Sequence, residues 1–209
     1  MSNRFSFSGR FAASVLGVAV VAAVLPACTP LVVGGAAVTG ALVATDRRSS
    51  GAQLDDEGIE LRASNRIGNE MGNRARVNVT SYNRRVLLTG EASGDKSKAD
   101  VEAIIKSMDN VDAIYNELSV TNSPSFSEKA SDALLTGRVK AGLVEIRELS
   151  SSAFKVVSER GTVYLMGRVT QREADMATEV ARTTKGAQRV VRVMEILTDA
   201  ELARLPLVK

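Results

Sequence analysis

Two hydrophobic periods run along this chain, and they follow one another in the same order twice. Ile59, Ala63 and Ile67 recur every four residues behind Asp55-Asp56-Glu57, an acidic start that suits the positive end of a helix dipole. Val77-Asn78-Val79-Thr80-Ser81-Tyr82 then alternates with period two, Asn83-Arg84-Arg85 turns the chain, and Val86-Leu87-Leu88-Thr89-Gly90 returns, which predicts a β-hairpin. Ala99, Ile104, Ile105 and Met108 mark one face of a second helix, and 111–120 reads as a strand. The second pass predicts a helix over 127–146, a strand over 154–157, a turn at Glu159-Arg160-Gly161, a strand over 162–167, a helix over 171–184 and a strand over 189–197.

The two passes share residues as well as periods. Val86-Leu87-Leu88-Thr89-Gly90 recurs as Val163-Tyr164-Leu165-Met166-Gly167, an offset of 77, and 114–120 recurs as 190–196, an offset of 76. One residue is lost where Glu91-Ala92-Ser93-Gly94 stands against Arg168-Val169-Thr170. The chain is therefore a duplicated α-β-β-α-β unit of the α+β class, in which helices cover one face of a small sheet. Gly90 and Gly167 occupy the same place before the second helix of each unit, where a side chain would clash or φ is positive.

The N-terminus has a different character. Arg4 and Arg10 precede an apolar run from Phe11 to Val24, which ends in Leu25-Pro26-Ala27-Cys28, the three-part pattern of a secretory signal. A cysteine directly after the cleavage site resembles the lipobox of bacterial lipoproteins, which implies acylation of Cys28 and a mature chain that begins there. Each buried CH₂ contributes about 0.8 kcal/mol, so two or three acyl chains hold the protein on a membrane without a spanning helix. Thr29 stands where an aspartate would signal retention in the inner membrane, and by that resemblance the destination is the inner leaflet of the outer membrane, facing the periplasm. The apolar segment Leu31 to Ala44 has fourteen residues, short of the roughly 20 that span a bilayer. It lies on the membrane or packs on the first unit. Asp46-Arg47-Arg48-Ser49-Ser50-Gly51 reads as a linker, with arginines that either touch phosphates or are simply solvated.

Composition narrows the chemistry. Of 27 Lys and Arg residues two leave with the signal, so 25 remain against 24 acids. A balance this close to neutral gives no general attraction to nucleic acid. The single cysteine is taken by the lipid, so no disulfide stabilises the fold, and the absence of histidine removes the commonest general base and metal ligand. No G-x-G-x-x-G or Walker pattern indicates a cofactor, and no grouping of carboxylates and serines makes a catalytic constellation or a metal site. The expectation is a protein that is not an enzyme.

At this point the residues resemble the BON domain, a module of bacterial periplasmic proteins with α-β-β-α-β order and a second strand that ends in glycine. Two such domains behind a lipobox resemble the dual-BON outer-membrane lipoproteins, the division and outer-membrane stress-associated lipid-binding family. The similarity runs through Asp46-Arg47-Arg48-Ser49, Arg76-Val77-Asn78-Val79-Thr80, Val86 to Gly90, Tyr115-Asn116-Glu117 and Val163 to Ala174. It implies two small three-stranded mixed sheets, each packed by two helices. The resulting division is a signal peptide over 1–27, a lipidated tether over 28–54, a first BON domain over 55–123 and a second over 124–209.

The resemblance also implies binding of anionic phospholipid, chiefly phosphatidylglycerol, through the first helix of the second domain. It implies support of outer-membrane integrity, and association with sites of division and of outer-membrane protein assembly. In that helix Leu135, Val139, Leu143 and Ile146 form the stripe expected to face the sheet, while Leu134, Arg138 and Ala141 form a neighbouring one. An apolar side chain one turn from a guanidinium is what an interfacial helix requires, and Leu134, Leu135, Arg138, Lys140 and Val144 are the candidate phospholipid-binding residues. The competing readings are an amphipathic helix whose Arg138 and Lys140 only keep it soluble, and a scaffold lipoprotein whose tandem domains contact envelope machinery through exposed strand edges. Self-association is left open.

Overall fold

The computed structural model describes residues 46–121 and 125–205. The expected signal peptide over 1–27, Cys28 and the apolar segment over 31–44 lie outside them. Among the described residues no helix is long and apolar enough to cross a membrane.

The first unit runs α1 (Ser50–Met71), β1 (Ala75–Tyr82), β2 (Arg85–Ala92), α2 (Asp95–Lys106) and β3 (Ala113–Asn116). The second runs α3 (Phe126–Glu145), β4 (Phe154–Glu159), β5 (Thr162–Thr170), α4 (Gln171–Thr183) and β6 (Arg189–Leu197), followed by a short α5 (Asp199–Ala203). In each sheet the middle strand pairs antiparallel with its hairpin partner and parallel with the last strand, giving orders β1-β2-β3 and β4-β5-β6. Both sheets are mixed, as expected. Each hairpin has a two-residue turn with positive φ at both positions, 49° and 64° at Asn83-Arg84 and 50° and 71° at Arg160-Gly161, the combination that matches the twist of paired strands.

Helices cover one face of each sheet. Ile59, Ala63 and Ile67 of α1 join Val101 and Ile105 of α2 against Val86 and Leu88, and Leu135, Val139 and Leu143 of α3 join the alanines of α4 against Val163 and Leu165. The middle strands are buried on their second face too. Leu87 and Tyr82 of the first unit share a further apolar cluster with Tyr164, Met166 and Val193 of the second, so the sheets meet through the faces their helices leave bare. Polar links border this contact: Lys155 with Glu60 at 2.8 Å, Arg189 with Glu117 at 3.0 Å, and Asn83 Nδ2 donating to Glu195 at 2.7 Å.

The same acid closes both hairpins. Asp56 on α1 accepts from Asn83 N at 2.7 Å, Arg84 N at 2.8 Å and Ser81 Oγ at 2.6 Å. Asp132, its counterpart on α3, accepts from Arg160 N at 2.8 Å and Gly161 N at 2.9 Å. Burial works to raise the Asp56 carboxyl, but the bonds from Ser81, Arg84, Arg48 and Asn83 outweigh it and hold the group below the usual carboxylate range.

Three elements differ from the sequence expectation. Helix α1 starts at Ser50 rather than Asp55, because Ser49 Oγ caps Ala52 N at 3.1 Å; Asp56 serves the hairpin turn instead of the helix start. The strand expected over 111–120 is limited to β3 and an isolated bridge between Glu91 and Ser119, since the Asn116 amide turns aside to Lys98 O and Glu102. Arg47 and Arg48 are also not solvated. Arg47 donates to both Glu173 oxygens, at 2.7 and 2.8 Å, and to Arg168 O at 3.1 Å, while Arg48 pairs with Asp46 and Asp56 and lies 4.4 Å from the centre of the Tyr82 ring. These residues strap the second unit to the first.

Candidate functional site

Helix α3 carries four of the five candidate lipid-binding residues on its exposed surface. Ser125 and Glu128 form a capping box that fixes its first turn: Ser125 Oγ accepts from Glu128 N, and the Glu128 carboxylate accepts from Ser125 N at 2.7 Å. Hydrogen bonds from Ser125 hold Glu128 below the ordinary glutamate value. The inner face presents Asp132, Leu135, Val139 and Leu143 to the core.

The outer face is apolar as well. At about 100° per residue, Phe126, Ala130, Ala133, Leu134, Gly137, Ala141 and Val144 fall within an arc of roughly 100° opposite the buried stripe. All are exposed, with Phe126 at 88%, Leu134 at 60% and Val144 at 68%. A helix with apolar side chains on both faces packs one inward and leaves the other without a partner in the described chain. Lys129 and Lys140 border the outer stripe on one side and Arg138 on the other, while Glu145 stands at its C-terminal edge. Arg138 Nη1 donates to Lys185 O at 3.2 Å. Among the described residues no carboxylate pairs with Lys129, Arg138, Lys140 or Lys185, whereas arginines elsewhere are tied to acids at 2.7 to 3.4 Å.

Leu135 differs from the other four: it is 2% exposed in the core beneath α3 and reaches the surface only as part of the lining of the groove beside that helix. Leu134, Arg138, Lys140 and Val144 are exposed, Leu134 with Arg138 on one flank of the stripe and Val144 near its far end. Sequence reading missed Phe126, the most exposed aromatic of the stripe. The signal was present as apolar and small residues at 126, 130, 133, 137, 141 and 144, a helical spacing hidden by attention to the core-facing period. Cys28 lies outside the described residues.

Comparison with known proteins agrees with this architecture. The BON domain family model matches residues 55–122 and 131–198. The outer membrane lipoprotein DolP of Haemophilus influenzae is 38% identical over 175 residues, 83% of this chain and 90% of that protein. The 21 kDa hemolysin of Actinobacillus pleuropneumoniae is 32% identical over 151 residues, 71% of this chain and 78% of its own length. Among solved structures, the C-terminal domain of CdsD from the type III secretion system of Chlamydia trachomatis covers 63% of this chain and 96% of its own at 11% identity, and its TM-score of 0.29 is too low to support an argument.

Proposed function

Because the chain belongs to the BON-domain family of outer-membrane lipoproteins, we propose that acyl chains on Cys28 anchor it and that α3 of its second domain reads anionic phospholipid, in support of outer-membrane integrity. The observation that carries this reading is the outer stripe of α3, apolar along its length and flanked by cations that pair with no carboxylate among the described residues. Phe126, Leu134 and Val144 supply the side chains that enter the acyl layer; Arg138, Lys129 and Lys140 supply charge at phosphate level. Near an anionic surface each cation contributes about 1 kcal/mol, enough to choose where a tethered protein settles and too little to hold it alone. Anchoring and selection are thus separate tasks.

Flotation of the acyl-free chain from residue 45 with vesicles tests the selector. Binding to phosphatidylglycerol-rich vesicles at low ionic strength is expected, with little binding to phosphatidylcholine. Arg138→Glu should weaken it by about 2 kcal/mol, roughly thirtyfold, because it removes one attraction and adds one repulsion. Equal indifference to every vesicle would overturn the reading and leave the stripe as a protein-docking face. The mass of the N-terminal peptide from membranes tests the anchor, which is expected as an acylated Cys28.

A further inference from the structure

Tyr82 and Glu159 hold the same place in the two hairpins, each ending its strand opposite the first residue of the next, Arg85 and Thr162. Arg76 and Ala153 are equivalent in the same register, since the residues after them pair with Gly90 and Gly167. Tyr82 crosses from the first domain to the second: it is 3% exposed in the shared apolar cluster, and its hydroxyl donates to the Ala153 carbonyl at 3.3 Å. At the reciprocal place, where Glu159 faces the strand of Arg76, the domains instead enclose a cavity of about 360 Å³ that both residues line. Glu159 also lines a second cavity between the domains, of about 170 Å³. Ser158 Oγ, in the wall of the larger one, is buried without a hydrogen-bond partner among the described residues. The seam is packed at its Tyr82 end and loose at its Glu159 end.

The charges around Glu159 favour a proton on it. Arg76 and Asn78 of β1, Glu91 of β2, and Lys129 and Asp132 of α3 line the larger cavity. Lys98 and Glu117 of the first domain line the smaller one with Arg160, Tyr164 and Arg189 of the second. Several of these cations are already engaged: Arg189 pairs with Glu117 at 3.0 Å, Arg160 with Glu91 at 3.3 Å across the seam, and Lys98 donates to the Leu118 carbonyl at 2.8 Å. Burial, Glu91 and Asp132 raise the Glu159 carboxyl above the ordinary 4.5, against the pull of Arg160 and the Asn78 amide. A carboxylate only accepts hydrogen bonds, whereas a protonated carboxyl also donates.

We propose that Glu159 is a proton-operated latch between the two domains: protonated, it donates across the seam to the first domain, as Tyr82 does to the second, and ionised, it repels Glu91 and lets this end open about the Arg47-Arg48 strap. The pair then presents one rigid body in mild acid and a hinged one at neutral pH. Asp56 and Glu173 in the strap are held below their ordinary values, so the hinge keeps its charges where the latch titrates. Opening returns Glu159 toward 4.5, and the open-to-closed ratio therefore climbs by up to about tenfold per pH unit between 4.5 and the raised folded value, then levels off.

The three tyrosines supply the test. The full chain in neutral-detergent micelles is labelled with 3-fluorotyrosine, and fluorine relaxation by a soluble paramagnetic chelate is followed from about pH 4.5 to about pH 8. Tyr164 borders the smaller cavity and reports the latch, and Tyr82 reports the hinge. Burial holds both hydroxyls above the ordinary tyrosine value, so neither titrates in this range. Relaxation at Tyr164 is expected to rise with pH and level off while Tyr82 stays shielded. Glu159→Gln, a permanent donor without charge, should keep Tyr164 shielded at every pH. A Tyr164 signal that ignores pH, or becomes more shielded as pH rises, overturns the proposal. So does a Glu159→Gln protein that keeps the parent's pH dependence, because another group then titrates. If Tyr82 is exposed together with Tyr164, the domains part or unfold as a whole and the hinged latch falls.

Discussion

One carboxylate per unit ties its hairpin turn to the first helix. Asp56 is 2% exposed and receives two turn amides, the Ser81 hydroxyl and Arg48, so Asp56→Ala leaves three donors without their acceptor and takes from Arg48 one of its two carboxylates. A loss of about 3 kcal/mol in denaturant unfolding is expected. Asp132→Ala strands only two amides and should cost about 1 to 2 kcal/mol. Glu159 behaves in the opposite sense. Burial, Glu91 and Asp132 raise its carboxyl above the ordinary 4.5, so its charged form costs stability as pH rises through the folded value. Glu159→Gln is therefore expected to raise the unfolding free energy at pH 7 by less than about 1 kcal/mol, since water screens a half-buried group, and to change nothing at pH 3. The glycines differ too. A methyl at Gly90 would overlap the Arg76 carbonyl at a φ of 113°, whereas at Gly167 it would sit 2.6 Å from Ala153 O without the φ penalty, so Gly90→Ala should destabilise more than Gly167→Ala.

At the scale of elements, α3 is distinguished by having two apolar faces. Phe126→Asp and Val144→Asp change exposed positions, so circular dichroism and melting should stay near those of the parent while vesicle flotation falls. Leu135→Ala is the contrasting substitution: it opens a cavity in the core and should cost about 2 to 4 kcal/mol, losing flotation only as the fold fails. Element order and both hairpins were legible in the sequence because period and turn chemistry are local; the strand at 189–197 matches β6 residue for residue. The truncation of β3 was not, because it depends on where the Asn116 amide finds partners twelve or more residues away in α2. The α1 and α3 caps could have been read from Ser49 and from Ser125 with Glu128, and the outer stripe from the 126-to-144 spacing. Burial on both faces of Val86-Leu87-Leu88 and of Val163 to Met166 was written in their unbroken apolar runs, but not which surface would cover the second face.

For the whole molecule, the contact between units combines an apolar centre with a strap of buried ion pairs. Glu173 is worked upward by burial and pulled down further by Arg47 and Thr170, and Asp56 is likewise depressed; both stabilise the charged, folded state. That contribution is present above the ordinary values of 4.5 and 3.8 and is lost as pH falls through the lower folded values, so acid unfolding should steepen below about pH 4. Arg47→Glu and Glu173→Arg should each destabilise the chain, and the double exchange should recover part of the loss, with a coupling of about 1 to 3 kcal/mol by a double-mutant cycle. Urea unfolding of the four proteins measures it.

The position of Arg47 and Arg48 has a mechanical consequence. They stand just before α1, and one grips the second domain while the other grips the first. A pull that reaches Arg47 and Arg48 from the N-terminal side therefore acts on both domains at once instead of peeling the nearer from the farther, and the pair answers it as a single load.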